Sequence, residues 1–170
     1  IKTLAIDQKV KYLDIAQVLF PDSKIVTEDK LECAKQYESK GENDKAINVA
    51  DSIAKKCNAA YFVKAKSLYN KAQTANNTEL KESLLTNALT AVKQVSGNLT
   101  NQLTDNIKNS LVDVANQYYP SQLDRAYTLL QKLSKEGVEK ALFSISEHRV
   151  TEAKALSEAS DKYKFTTKAI

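Results

Sequence analysis

Apolar residues recur along this chain at steps of three and four, the spacing that gathers them on one face of an α-helix. Over residues 3–20 the series is Ile6, Val10, Leu13, Ala16 and Leu19 or Phe20, with Leu4 and Ile15 near its edges. It predicts a first helix that Pro21 stops, because the residue before a proline is pushed out of the helical region. Residues 21–27 read as a connector, with Thr27 capping a second helix over about 28–40 that ends at Gly41. Asn43 or Asp44 caps a third helix to about Cys57, and Asn58 breaks or bends the chain. A fourth helix (59–75) runs through Phe62, Ala65, Leu68, Tyr69 and Ala72 to the polar turn Asn76–Asn77–Thr78. Leu80, Leu84, Leu85, Ala88, Leu89, Val92 and Val95 predict a fifth (78–96), closed by Gly97. Leu103, Ile107, Leu111, Val114 and Tyr118 mark a sixth (100–119), stopped by Pro120. Ser121 caps a seventh that reaches Gly137, followed by a short eighth (138–146) and a ninth (about 149–165). The expected fold is all-α: about nine helices in antiparallel hairpins.

Composition supports this reading. The 170 residues contain only 3 glycines and 2 prolines, all at predicted helix ends. The filler is Ala, Leu, Lys, Glu and Gln, all good helix formers. Length and a 42% apolar content fit one domain with a sizeable core. We expect a single domain over 1–170: an N-terminal helix and connector (1–27), helical hairpins (28–137) and C-terminal capping helices (138–170).

One spacing occurs four times, at Lys30–Cys33–Ala34–Tyr37, Phe62–Ala65–Lys66–Tyr69, Leu111–Val114–Ala115–Tyr118 and Leu156–Ala159–Ser160–Tyr163. The strongest copy continues through Gly41 into Ala46, Ala50 and Ile53. Over residues 30–53 the chain resembles the tetratricopeptide repeat, a helix–turn–helix of about 34 residues. The resemblance implies that Ala34 and Ala46 let two helices approach closely, that Tyr37 fills the gap between neighbouring hairpins, and that Gly41 allows the tight turn. The other copies share the helical face without its period: the second has Lys66 where Ala34 stands, and the third carries Pro120 in its turn. The fold implied is a tetratricopeptide-like right-handed superhelix, with an irregular helical bundle as the alternative. In the superhelix the first helix of each hairpin lines a groove. Its outward residues are then Leu31, Lys35 and Glu38, followed by Val63, Lys64 and Ser67, then Val112, Asp113, Asn116 and Tyr119. Leu31 and Lys35 stand where the family's carboxylate-gripping grooves carry lysine and asparagine, so a peptide or partner helix is expected there rather than a C-terminal carboxylate.

Charge narrows the partners. The net charge of +4 equals the surplus between Lys30 and Lys71, where nine lysines face five acids (Glu32, Glu38, Glu42, Asp44, Asp51). A surplus of this size reads as a solvated helical face. With only Arg125 and Arg149 as arginines, nucleic acid is not an expected partner. No apolar run approaches the ~20 residues that span a bilayer. The chain begins at Ile1 without an initiator methionine, which suggests a processed product and slightly favours a secreted or periplasmic location. The sequons Asn76–Asn77–Thr78 and Asn98–Leu99–Thr100 are compatible with secretion.

Candidate chemistry is sparse. His148 is the only histidine and falls in Ser144–Arg149, read here as an exposed inter-helix turn rather than a catalytic site. No cluster of His and Cys suggests a metal, and three scattered glycines make no phosphate loop. If Cys33 and Cys57 flank a hairpin turning near residues 42–43, they sit about 7.5 Å apart along it at ~1.5 Å per residue. That exceeds the Cα separation of a disulfide, so a buried thiol is expected unless the hairpin is kinked. The function expected is a non-enzymatic protein- or peptide-binding module without cofactors, its oligomeric state open. The alternatives are a secreted or periplasmic helical sensor or surface domain, and a small-ligand binder with a pocket between helices.

Overall fold

The computed structural model describes residues 4–95, 100–119 and 121–168, with 160–168 as backbone only. The predicted breakers Gly97 and Pro120, the sequon asparagine Asn98 and the side chain of Tyr163 lie outside the described residues. The described residues form eight α-helices and no strand: α1 (Ile6–Leu19), α2 (Lys24–Ser39), α3 (Asn43–Ile53), α4 (Asn58–Thr74), α5 (Thr78–Val92), α6 (Asn101–Tyr118), α7 (Leu123–Lys135) and α8 (Glu139–Lys168). The chain is all-α. It divides into two compact units, residues 1–110 and 111–170.

Local chemistry sets the helix limits. α1 stops at Leu19, two residues before Pro21. α2 begins earlier than expected, because Ser23 rather than Thr27 is its cap: the Ser23 hydroxyl accepts a hydrogen bond from the Val26 N–H at 3.3 Å. Thr27 lies inside the helix and turns its hydroxyl back onto the Ser23 carbonyl. Asn77 caps α5 by accepting from the Leu80 N–H at 2.8 Å. α3 and α7 start after Glu42 and Gln122 without a side-chain cap, so neither Asn43, Asp44 nor Ser121 caps a helix.

Two hairpins turn in the same way. Gly41 (φ +76°) follows α2 and Gly137 (φ +81°) follows α7, the left-handed region that glycine enters without steric cost. Behind each, two N–H groups fold back onto the last helical turn: Glu42 to Tyr37 and Gly41 to Glu38, Val138 to Leu133 and Gly137 to Ser134. This closure satisfies carbonyls that a helix end otherwise leaves open.

In unit 1, α1 packs on α2, α2 on α3, α3 on α4 and α4 on α5, and α4 also reaches α2. The first core holds Leu13, Val26, Cys33, Ala34, Tyr37, Ala46, Val49, Ala50, Ile53, Ala60 and Val63. Ala34, Ala46 and Ala50 have no exposed surface, so α2 and α3 meet through small side chains. A second layer joins Ala65, Leu68 and Ala72 of α4 to Leu85, Ala88, Leu89 and Val92 of α5. Full burial of a residue such as Ile53 or Leu85 stabilises by roughly 1.5–3 kcal/mol. α4 is therefore buried on two sides, leaving two separate strips open.

Unit 2 is built on Leu111, Val112, Val114, Ala115 and Tyr118 of α6, Ala126, Leu130 and Leu133 of α7, and Ala141 and Ser144 of α8. The predicted break at 147–148 is absent, and α8 is continuous from Glu139. Two hydroxyls around the expected turn bond back to the preceding helical turn: Ser146 to Leu142 at 3.1 Å and Thr151 to Glu147 at 2.9 Å.

Candidate functional site

The largest buried polar side chain of unit 1 is a lysine. Lys30 is only 1% exposed, and its ammonium donates to Asp14 (2.6 Å), to Gln17 and to Ser52 (3.3 Å). An ammonium has three donors, and three acceptors meet it. Gln17 donates in turn to the Ser52 carbonyl at 3.2 Å. Lys30 thus ties α1, α2 and α3 together.

A second tie runs through Tyr37. Its hydroxyl donates to Asp7 at 2.6 Å, and Lys45 meets the same carboxylate at 2.9 Å while lying over the tyrosine ring. The hydrogen bond from Tyr37, then that from Lys45, hold the Asp7 carboxyl below its ordinary range. Burial and the bond to Asp7 push the Tyr37 phenol well up. Tyr37 is buried, with Asp7 of α1 and Lys45 of α3 both against it. Both cysteines are free, and burial raises the Cys33 thiol, which disfavours a reactive thiolate there.

The two open strips of α4 border two clefts. One, of about 400 Å³, is walled by α3 and α5, with Ile47, Tyr61, Leu68 and Ala91 as its apolar surface. Its polar residues are Asn87, Thr90, Gln94 and the Lys64–Asp51 ion pair at 2.6 Å. The other, of about 230 Å³, lies between α4 and the start of α6. Phe62, Tyr69 and Leu103 line it together with Lys66 and the carboxamides of Asn70, Gln102 and Asn106. Glu38 of α2 holds its edge, bonding Lys66 (3.0 Å) and Asn70 (3.2 Å).

The ten residues expected to line a groove fall in different surroundings within each unit. Val63, Ser67 and Val112 are buried in the cores, which corrects their assignment: the outward strips of α4 are displaced from Val63 and Ser67 because that helix packs on both sides. Lys64 lines the α3–α5 cleft, on a different strip of α4 from Lys66, the residue that Glu38 of α2 meets. Leu31 packs against the first core, and Lys35 is exposed on α2. Asp113 is exposed and pairs with Lys140 at 2.7 Å. Phe62, Tyr69 and Asn70 were missed as groove residues. Phe62 and Tyr69 were read on the apolar face of the fourth helix, and Asn70 carried no signal.

Asn116 and Tyr119 instead gather around His148 in unit 2. His148 is half-buried inside α8, not exposed in a turn. Its ring stacks on Tyr119 (centroids 3.8 Å apart), and Tyr127 meets it edge-on at 6.3 Å. Its Nε2 shares a hydrogen bond with Asn116 Oδ1 at 3.0 Å, while Asn116 Nδ2 donates to buried Ser144 at 3.2 Å. Tyr127 donates to Glu152 at 3.0 Å; burial first, then that bond, raises its phenol. Asn116, Tyr127 and the Nε2 of His148 are each turned to a protein neighbour, which suits an anchor between α6, α7 and α8.

Among the described residues, no three His, Cys, Asp or Glu side chains converge as a metal ion would require, and no helix is long and apolar enough to cross a membrane. No family model, no curated protein and no solved structure matches the chain.

Proposed function

We propose that the chain is a non-enzymatic, tetratricopeptide-like module that binds a protein or peptide segment. The observation that carries this reading is the cleft between α4 and α6. Aromatic and aliphatic side chains line it beside three carboxamides, each able both to donate and to accept toward a peptide backbone. Its one cation, Lys66, is already neutralised by Glu38, so the cleft suits an uncharged peptide stretch better than a phosphate or a nucleic acid. The order of packing supports a stacked-hairpin arrangement, since α2 and α4, the first helices of successive hairpins, lie against one another.

Selection from a displayed random-peptide library tests the reading. Enriched peptides should lose at least tenfold in affinity with Phe62→Ala or Tyr69→Ala and be indifferent to Lys64→Glu on the other strip. A library that yields no binder dependent on Phe62 or Tyr69 removes the proposal. One observation favours a second reading, a small-ligand site: the α3–α5 cleft falls within the ~300–1,000 Å³ of such sites. Ligands selected by Lys64 and Tyr61 instead would support it.

A further inference from the structure

α1 carries apolar side chains on two sides. Ile6, Val10, Leu13 and Ala16 pack into the first core. On the other side Gln8, Tyr12, Ile15 and Leu19 follow at steps of four, three and four, the spacing of a seam between two helices. Val18 flanks this seam, and Phe20 and Ile25 continue the apolar surface past the helix end. These six large apolar residues are each 58–81% exposed. A helix apolar on both sides belongs between two partners and not at an edge. At about 150–200 Å² per fully exposed side chain, the six leave roughly 700 Å² open, more than a monomer's scattered surface apolars. Two such faces together come to roughly 1,400 Å², within the ~1,200–2,000 Å² of a stable protein–protein interface.

We propose that this face is the two-fold interface of a homodimer, with α1 antiparallel to α1 of a second copy. The pattern is self-complementary about Ile15, since Tyr12 precedes it by three residues and Leu19 follows it by four. A two-fold axis beside Ile15 sets Tyr12 of each copy against Leu19 of the other and brings the two Ile15 side chains together. Opposite charges flank the seam. Lys11, exposed, stands beside Tyr12, and Asp22, whose side chain is 95% exposed although it pairs with Lys56, stands just beyond Leu19. The antiparallel arrangement brings each Lys11 toward the opposite Asp22. This symmetry argues for a second copy over an unrelated helix, which would need none, and an isologous contact closes after two chains. The inference is independent of the peptide cleft, which involves other helices.

Sedimentation velocity on the whole chain from about 1 to 500 µM should show a monomer–dimer equilibrium in the micromolar range. Ile15→Glu should weaken it at least tenfold with helical circular dichroism unchanged, since Ile15 is solvent-facing in the single chain. In a Cys57→Ser background, with Cys33 buried, Ile15→Cys should cross-link to itself on mild oxidation, whereas Phe143→Cys on α8 should not. A chain that stays monomeric throughout overturns the proposal. So does a dimer that survives Ile15→Glu, or one that Phe143→Glu abolishes while Ile15→Glu does not.

Discussion

The Lys30 tie offers a measurement whose outcome physical chemistry fixes in advance. Removing Asp14 leaves an ammonium almost wholly out of water with two neutral acceptors, Gln17 and Ser52. Breaking a buried pair in this way costs ~3–5 kcal/mol when water is excluded from both sides. Asp14 is 58% exposed, so water can replace part of what the carboxylate supplied, and the expected loss for Asp14→Ala is about 2 kcal/mol. Lys30→Met keeps the length of the side chain and removes the charge that needed partners. Asp14 and Gln17 can then turn to solvent, and the expected change is within about 1 kcal/mol of zero. Urea denaturation followed by far-ultraviolet circular dichroism reads both. With a slope of ~1–3 kcal/mol per molar, Asp14→Ala should lower the unit 1 midpoint by about 1 M and Lys30→Met by less than half of that. The double variant should recover most of the Asp14→Ala loss. A Lys30→Met protein that is less stable than Asp14→Ala would refute the reasoning, because it would mean the ion pair is worth more than the cost of burying it.

Three further outcomes follow from single side chains. Ser67 is fully buried and its hydroxyl has no hydrogen-bond partner among the described residues, so Ser67→Ala should raise stability by about 1 kcal/mol in thermal unfolding. Gly41 has open space around its α-carbon, so Gly41→Ala meets no clash and should lose only the ~1–2 kcal/mol of a left-handed backbone, read from the urea midpoint. The folded-state pKa of Asp7 is depressed; its contribution is present above its unfolded pKa and is lost as pH falls through the folded value. Acid titration should therefore show that Asp7→Asn is less stable than the parent at neutral pH and that the two converge below about pH 4.

How far these features could be read from sequence depended on which physics set them. Helix α1 ended where Pro21 required, and the turn at Gly41 fell where a left-handed residue was needed, because both constraints are local. The start of α2 was harder, since Ser23 and Thr27 are both competent caps and only the fold decides between their hydroxyls. The Ser144–Arg149 stretch read as a turn, yet nothing in it prevents a helix: the Ser146 hydroxyl finds a carbonyl one turn back, and Ser144 is buried against Asn116. Lys30 shared the helical face of Cys33, Ala34 and Tyr37 in the sequence, but its burial partners were not legible: a lysine is expected in water, and its three acceptors come from residues 13 to 22 positions away. The outward placement of Val63 and Ser67 on α4 failed for a related reason. One apolar face was visible, whereas a helix packed on two sides has two, and the second makes Val63 and Ser67 interior.

The serial packing of unit 1 bears on how the chain folds. Each helix from α1 to α5 packs chiefly on its immediate neighbour in sequence, with α4 also lying against α2 and polar side chains joining α1 to α3. Loops that must close are short, so the entropic barrier to assembly is low and folding should be rapid for a chain of this size. Two buried layers meet on α4, so its backbone amides should exchange with solvent last, whereas α1, held on one side only, should open first. A nascent chain could complete the α2–α3 hairpin before α5 has been made.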